Sequence, residues 1–169
     1  MPYSRKLVAA AAALVCMIGL VHGAYAQTQQ QLDIKAAKAE RKAIVGQNMQ
    51  LTAAEGQTFW PLYTKYEKAM DAVDMRHAQE IRDYAKNFQN MTDDAAKSKL
   101  DETVAVAQQR LDVQKEYIPQ FRAILSQIKT TRFFQIDNKL HAMVQCQIAQ
   151  LVPLVGTPPP SSMGAGAGQ

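Results

Sequence analysis

Phe59, Tyr63, Tyr66, Met70, Val73, His77, Ile81, Tyr84 and Phe88 recur at steps of three and four, and that spacing leaves little choice of local structure. A period near 3.6 sets these side chains along one side of an α-helix, whereas a strand would scatter them over both faces. A helix running from Ala53 to about Gln89 rises roughly 1.5 Å per residue, about 55 Å in all, longer than a small domain is wide. The spacing therefore predicts an elongated all-α molecule whose helices lie lengthwise. Pro61 lacks an N–H and collides with the carbonyl four residues back, so a kink is expected near Gln57 to Pro61.

Three more helices follow from the same reasoning. The first, roughly Gln29 to Asn48, has a weak stripe through Leu32, Ala36, Ala39 and Ala43. The third begins near Thr92, where a hydroxyl and the acids Asp93 and Asp94 suit the positive end of a helix. Its expected apolar seam is Leu100, Val104, Ala107, Leu111, Gln114, Ile118, Phe121 and Leu125, with a bend or break near Tyr117 caused by Pro119. Ser126 can cap the fourth, Gln127 to about Val152, whose apolar side includes Phe133, Ile136, Leu140, Val144, Ile148 and Leu151; Pro153 ends it. The connections at Gln50 to Leu51, Asn90 to Met91 and near Ser126 are short, so successive helices are expected to fold back as antiparallel neighbours. The fold class is thus all-α, an elongated four-helix antiparallel hairpin arrangement, expected to be dimeric.

The termini differ in texture from the middle. Arg5 and Lys6 precede an apolar run from Leu7 to Val21, and Ala24-Tyr25-Ala26 has small residues where signal peptidase requires them. Residues 1–26 read as a secretory signal cleaved between Ala26 and Gln27, which leaves a helical domain over 27–152. The tail, 153–169, is rich in Pro, Gly and Ser and is expected to be disordered. No later segment is apolar for long enough to cross a bilayer, so stable membrane insertion after cleavage is not expected. Of two cysteines, Cys16 leaves with the signal and Cys146 remains, which excludes an internal disulfide. Losing Arg5 and Lys6 takes 19 basic residues to 17 against 15 acidic, a net charge of +2 that gives no case for nucleic acid.

Little in the chain suits catalysis. It has no Gly-rich phosphate loop, no HExxH and no GxSxG, and the carboxylate pairs Asp93-Asp94 and Asp101-Glu102 have lysines nearby, as solvated helix faces do. No enzyme activity and no cofactor are expected. Asp137 and His141 share a helix face and are candidate metal ligands. Cys146 is turned away from His141 by about 140°, so the trio cannot close one site within a single helix and would act mostly through a dimer.

Thr52 and Glu55 form a capping-box pattern at the start of the second helix, with Leu51 before them; Met91-Thr92 echoes the start at the third. Leu51-Thr52 ahead of Glu55 resembles the LTxxQ motif of the Spy/CpxP-like periplasmic stress proteins, with Glu in place of the usual Gln. Phe59-Trp60-Pro61-Leu62-Tyr63 is similar to exported helical proteins found beside that family. The resemblance implies a periplasmic all-α dimer that binds unfolded or envelope proteins without ATP, as chaperone or adaptor in a stress response. On this reading Leu51, Thr52, Glu55, Met91 and Thr92 start helices. The stripe of Phe59, Trp60, Tyr63, Tyr66, Met70, Val73, Ile81, Tyr84 and Phe88 offers a client or dimer surface. A metal-responsive sensor or buffer, or a dedicated regulatory partner of one envelope protein, is the alternative.

Overall fold

A computed structural model describes residues 35–156, and these are helical with no strand among them. Ala24, Ala26, Gln27 and Leu32, and the tail from 157 onward, lie outside the described residues. The chain divides into two units, residues 1–48 and 49–169. Helix α1 (35–49), which belongs to the first unit up to Asn48, leaves Ala36, Ala39 and Ala43 exposed, against the expected stripe, while Val45 is buried. A single methyl group has too little apolar area to decide which side of a helix is covered.

The second unit holds α2 (Ala53–Asn87), a 3-10 turn (Phe88–Asn90), α3 (Asp93–Ile124) and α4 (Gln127–Leu151). Each helix starts on the hydroxyl that the sequence offers. Thr52 Oγ1 accepts from the Glu55 amide at 3.2 Å while Glu55 Oε2 accepts from the Thr52 amide at 2.8 Å, a complete capping box. Thr92 accepts from the Ala95 amide and Ser126 from the Lys129 amide, both at 3.2 Å. The echo at Met91-Thr92 is half a box, because Ala95 has no side chain to reach back.

Neither proline breaks its helix: Pro61 lies inside α2 and Pro119 inside α3, both continuous. The carbonyls deprived of a donor belong to Gln57 and Lys115, which are exposed, so water can take the missing bond. Each interior proline still costs about 3 kcal/mol. The rings buried beside them offset it, since Phe59 and Tyr63 flank Pro61, Phe121 follows Pro119, and a fully buried side chain of this size contributes about 1.5–3 kcal/mol.

Those rings form the core of the unit. Phe59 of α2, Phe121 of α3 and Phe133 of α4 meet pairwise, with centroids 5.6, 5.4 and 4.5 Å apart. Tyr63 stacks on Phe59, and Tyr66 meets Tyr117, Phe121, Phe133 and Phe134 edge-on. Along α2 and α3 the partners run in opposite order, with Phe59 on Phe121, Tyr66 on Tyr117, Met70 on Arg110, Arg76 on Glu102 and Glu80 on Lys99.

The inward side of α3 matches the expected seam in its second half, where Phe121 and Leu125 are buried and Gln114 and Ile118 half-buried, and departs from it in the first. Val106, Arg110 and Phe121 are buried, whereas Leu100 is 65% and Val104 61% exposed, and Ala107 and Leu111 are exposed too. On α4 the expected side holds only in part, for Phe133 is buried while Val144 and Leu151 are exposed.

Candidate functional site

The aromatic stripe of α2 is core, which corrects its assignment as a binding or dimer surface. Phe59, Tyr63, Tyr66, Met70, Val73 and Tyr84 are buried within a single chain, and Trp60, Ile81 and Phe88 are half-buried. The rings of α3 and α4 cover its first half, because three bulky helices meeting on aromatic side chains leave little room for an outside partner.

Two polar clusters interrupt this core. In the first, Asp137 of α4 is 2% exposed. Its Oδ2 accepts from Arg110 Nη2 at 2.6 Å, from the Tyr66 hydroxyl at 2.9 Å and from Gln114 Nε2 at 3.3 Å. One carboxylate thereby joins all three helices of the unit. Burial, and then the charge of Asp137, push the Tyr66 phenol well above its ordinary range, so it stays a donor at any physiological pH. Gln114 also donates to Asn138 at 3.0 Å, and Arg110 Nη1 lies 3.6 Å from the Met70 sulfur.

The second cluster centres on Glu80, buried at the α2–α3 contact. Lys99 Nζ stands 2.7 Å from its carboxylate, His77 Nδ1 stands 2.9 Å away, and the Thr103 hydroxyl donates to it. Burial alone would raise the Glu80 carboxyl, but the bonds from Lys99, Thr103 and His77 outweigh it and hold it below the usual range. Nearer the surface, Arg76 grips both oxygens of Glu102 at 2.7 and 2.9 Å.

Arg110, Glu80, Lys99 and Thr103 escaped the sequence reading as site residues, and Gln114 was read only as a position on the seam. A signal for Arg110 was present. Val106, Arg110, Val113, Tyr117 and Phe121 form a second line at helical spacing, and its two rings mark it as the buried one.

The capping residues do more than start α2. Lys129 of α4 reaches Glu55 Oε2 at 2.5 Å, so the motif at the beginning of α2 also ties down the beginning of α4. The Lys129 bond, then the Thr52 amide, hold the Glu55 carboxyl down to about 2. Leu51 and Met91 are half-buried beside the two caps.

The metal candidates are placed apart in role. Asp137 is engaged in the first cluster, Cys146 is exposed, and His141 is half-buried. Burial, then the charge of Arg110, lower the His141 pKa. Among the described residues no group of three His, Cys, Asp or Glu side chains is placed to hold a metal ion.

Although Ile128, at the opposite end, is exposed too, several large apolar side chains are left exposed toward the end of the unit where α2 finishes. Tyr84 fixes that end: Lys99, at the start of α3, sits 5.3 Å over its ring, and its hydroxyl donates to the Pro153 carbonyl, just past α4, at 2.6 Å. Leu100 follows Lys99, while Leu151, Leu154 and Val155 bracket Pro153, and all four are exposed. Val104 and Leu111 continue the line along α3, with Asp101 and Lys97 paired at 2.8 Å beside it. An uncovered apolar line with charges beside it is the arrangement that protein-binding surfaces share.

No family model matches the chain, and neither a curated protein nor a solved structure matches it.

Proposed function

We propose that this is an exported, non-enzymatic helical protein of the Spy/CpxP-like type, which binds unfolded or envelope proteins without ATP in a periplasmic stress response. The supporting observation is that Leu100, Val104 and Leu111 keep their apolar side chains in solvent although α2 and α4 are packed beside α3. Such a line serves a client segment, which would lay its own apolar residues against it without any change in the core. The reversed order of partners along α2 and α3 supports an antiparallel hairpin within a longer four-helix arrangement, and a second copy covering part of the apolar end would make the expected dimer.

The test is suppression of aggregation of a chemically unfolded client by protein recovered from the periplasm, where its first residue should be Gln27. Suppression at equimolar protein is expected, and a Leu100→Asn/Val104→Asn variant should lose most of it while keeping wild-type helix content by circular dichroism. No suppression by the wild type, or full suppression by the variant, would remove the basis of the reading.

A further inference from the structure

We infer that the distal half of α4, residues 138–151, is a strap hinged at Asp137 and latched onto α2, and that its release enlarges the apolar protein-binding surface; the gating half of this inference rests on the protein-binding reading above. The two halves of α4 are held in different ways. Up to the hinge the helix buries Thr130, Phe133 and Asp137, and Asp137 is bonded to α2 and α3 together. From 138 to 151 every residue is half-buried or exposed. About 14 residues of helix, four turns, thus pack without one fully covered side chain, and segments with so few buried contacts open at low free energy.

One hydrogen bond fastens this half to α2, and a second fastens the chain just past its end. Gln145 Nε2 lies 3.3 Å from His77 Nε2, and the Pro153 carbonyl accepts from the Tyr84 hydroxyl at 2.6 Å. Between the two latches α2 carries Ile81, half-buried, in the same stripe as His77 and Tyr84. The strap's own half-buried side chains include Leu140 and Ile148. Apart from Lys139 and His141 the strap carries no ionisable side chain but the Cys146 thiol. Letting go at Gln145 and Pro153 adds Ile81, Tyr84, Leu140 and Ile148 to the line of Leu100, Val104 and Leu111 that is already open. The first half of the stripe, locked by Phe121 and Phe133, stays shut.

Hydrogen exchange of the full chain, read peptide by peptide, tests the hinge. Amides of 141–151 should exchange at least tenfold faster than those of 127–137, and Tyr84→Phe should speed the distal peptides alone. Equal protection on both sides of Asp137 overturns the hinge. A reversible lock tests the gate: the Cα atoms of α2 and α4 stand more than 8 Å apart, too far for a direct disulfide, so His77→Cys with Gln145→Cys, in a Cys146→Ser background, is bridged by a bismaleimide whose spacer contains a disulfide, each thiol adding across one maleimide double bond. The locked protein should slow exchange in 141–151 and suppress client aggregation at least threefold less well than the same protein after reduction by dithiothreitol. Unchanged suppression on locking overturns the gate. Absence of suppression in every form overturns the binding reading and the gate with it, whereas the exchange difference still decides the hinge.

Discussion

Replacing Asp137 by Leu removes the one acceptor shared by Arg110, Tyr66 and Gln114 and leaves a guanidinium in the core without its counter-charge. Breaking a buried pair from one side typically costs about 3–5 kcal/mol, because the remaining charge stays desolvated. The Tyr66 hydroxyl, deprived of its acceptor, belongs to the same loss and is not added to it. A loss of about 4 kcal/mol lowers the folded-to-unfolded ratio roughly a thousandfold, since each 1.4 kcal/mol is about tenfold. For a domain of this size it should lower the midpoint of thermal unfolding by about 10–20 °C. The decisive comparison is the double variant Arg110→Met/Asp137→Leu, which removes both charges and fills the space with apolar groups. It should recover most of the loss and fall within about 1–2 kcal/mol of wild type, the residue being the orphaned Tyr66 hydroxyl. Urea unfolding followed by helix ellipticity gives all four corners of the cycle. A single-variant loss below about 1 kcal/mol, or a double variant as unstable as the sum of the singles, would show that Asp137 is not the shared anchor of α2, α3 and α4.

The Glu55 carboxyl, held down to about 2 from an ordinary 4.5 by Lys129 and the Thr52 amide, adds stability that is fully present above pH 4.5 and is lost as pH falls toward 2. Thermal unfolding should therefore show wild type above Glu55→Gln at neutral pH and the gap closing between pH 4.5 and 2; a gap independent of pH would contradict the ion pair with Lys129. Phe133, in contact with Phe59, Tyr63, Tyr66, Phe121 and Phe134, should lose about 3–5 kcal/mol when changed to Ala, whereas the exposed Met143→Ala should stay within about 0.5 kcal/mol. Similar losses in urea for both variants would mean that the aromatic contact does not hold the three helices together.

Helix starts were legible because they are local: Thr52, Thr92 and Ser126 each cap the helix that their own sequence announces, with partners three residues away. The inward face of α2 was legible because its large side chains leave no competing line. The outcome at the prolines was less legible, since α2 and α3 run on through Pro61 and Pro119. Their effect on a helix is local, but whether the chain yields depends on the rings buried on either side and on exposed carbonyls at Gln57 and Lys115, and neither is local information. The polar clusters were hidden for the same cause. Asp137 was read beside His141 because they share a helix, yet its partners come from positions 71 residues back and 27 residues back in the chain.

The two candidate lines on α3 carry this furthest. Leu100, Val104, Ala107 and Leu111 are the more apolar set, and burial judged by side-chain hydrophobicity alone would turn them inward. The fold instead buries Val106 and Arg110 there, because Arg110 must reach Asp137 and because Phe121, which lay on the expected seam, must reach Phe59 and Phe133. A rotation of roughly 100° about the α3 axis, one residue's worth, would cover the leucines and break both connections. The more greasy face is therefore left in water by the same contacts that hold the unit together, at a standing risk of aggregation. When local pattern and tertiary packing disagree in this way, the discrepant residues are where a use outside the single chain should be sought. Leu100, Val104 and Leu111 on α3 and Leu151 on α4 are thus the exposed apolar residues on which the proposed binding would be tested, while Phe59, Tyr63 and Tyr66 of the stripe are buried.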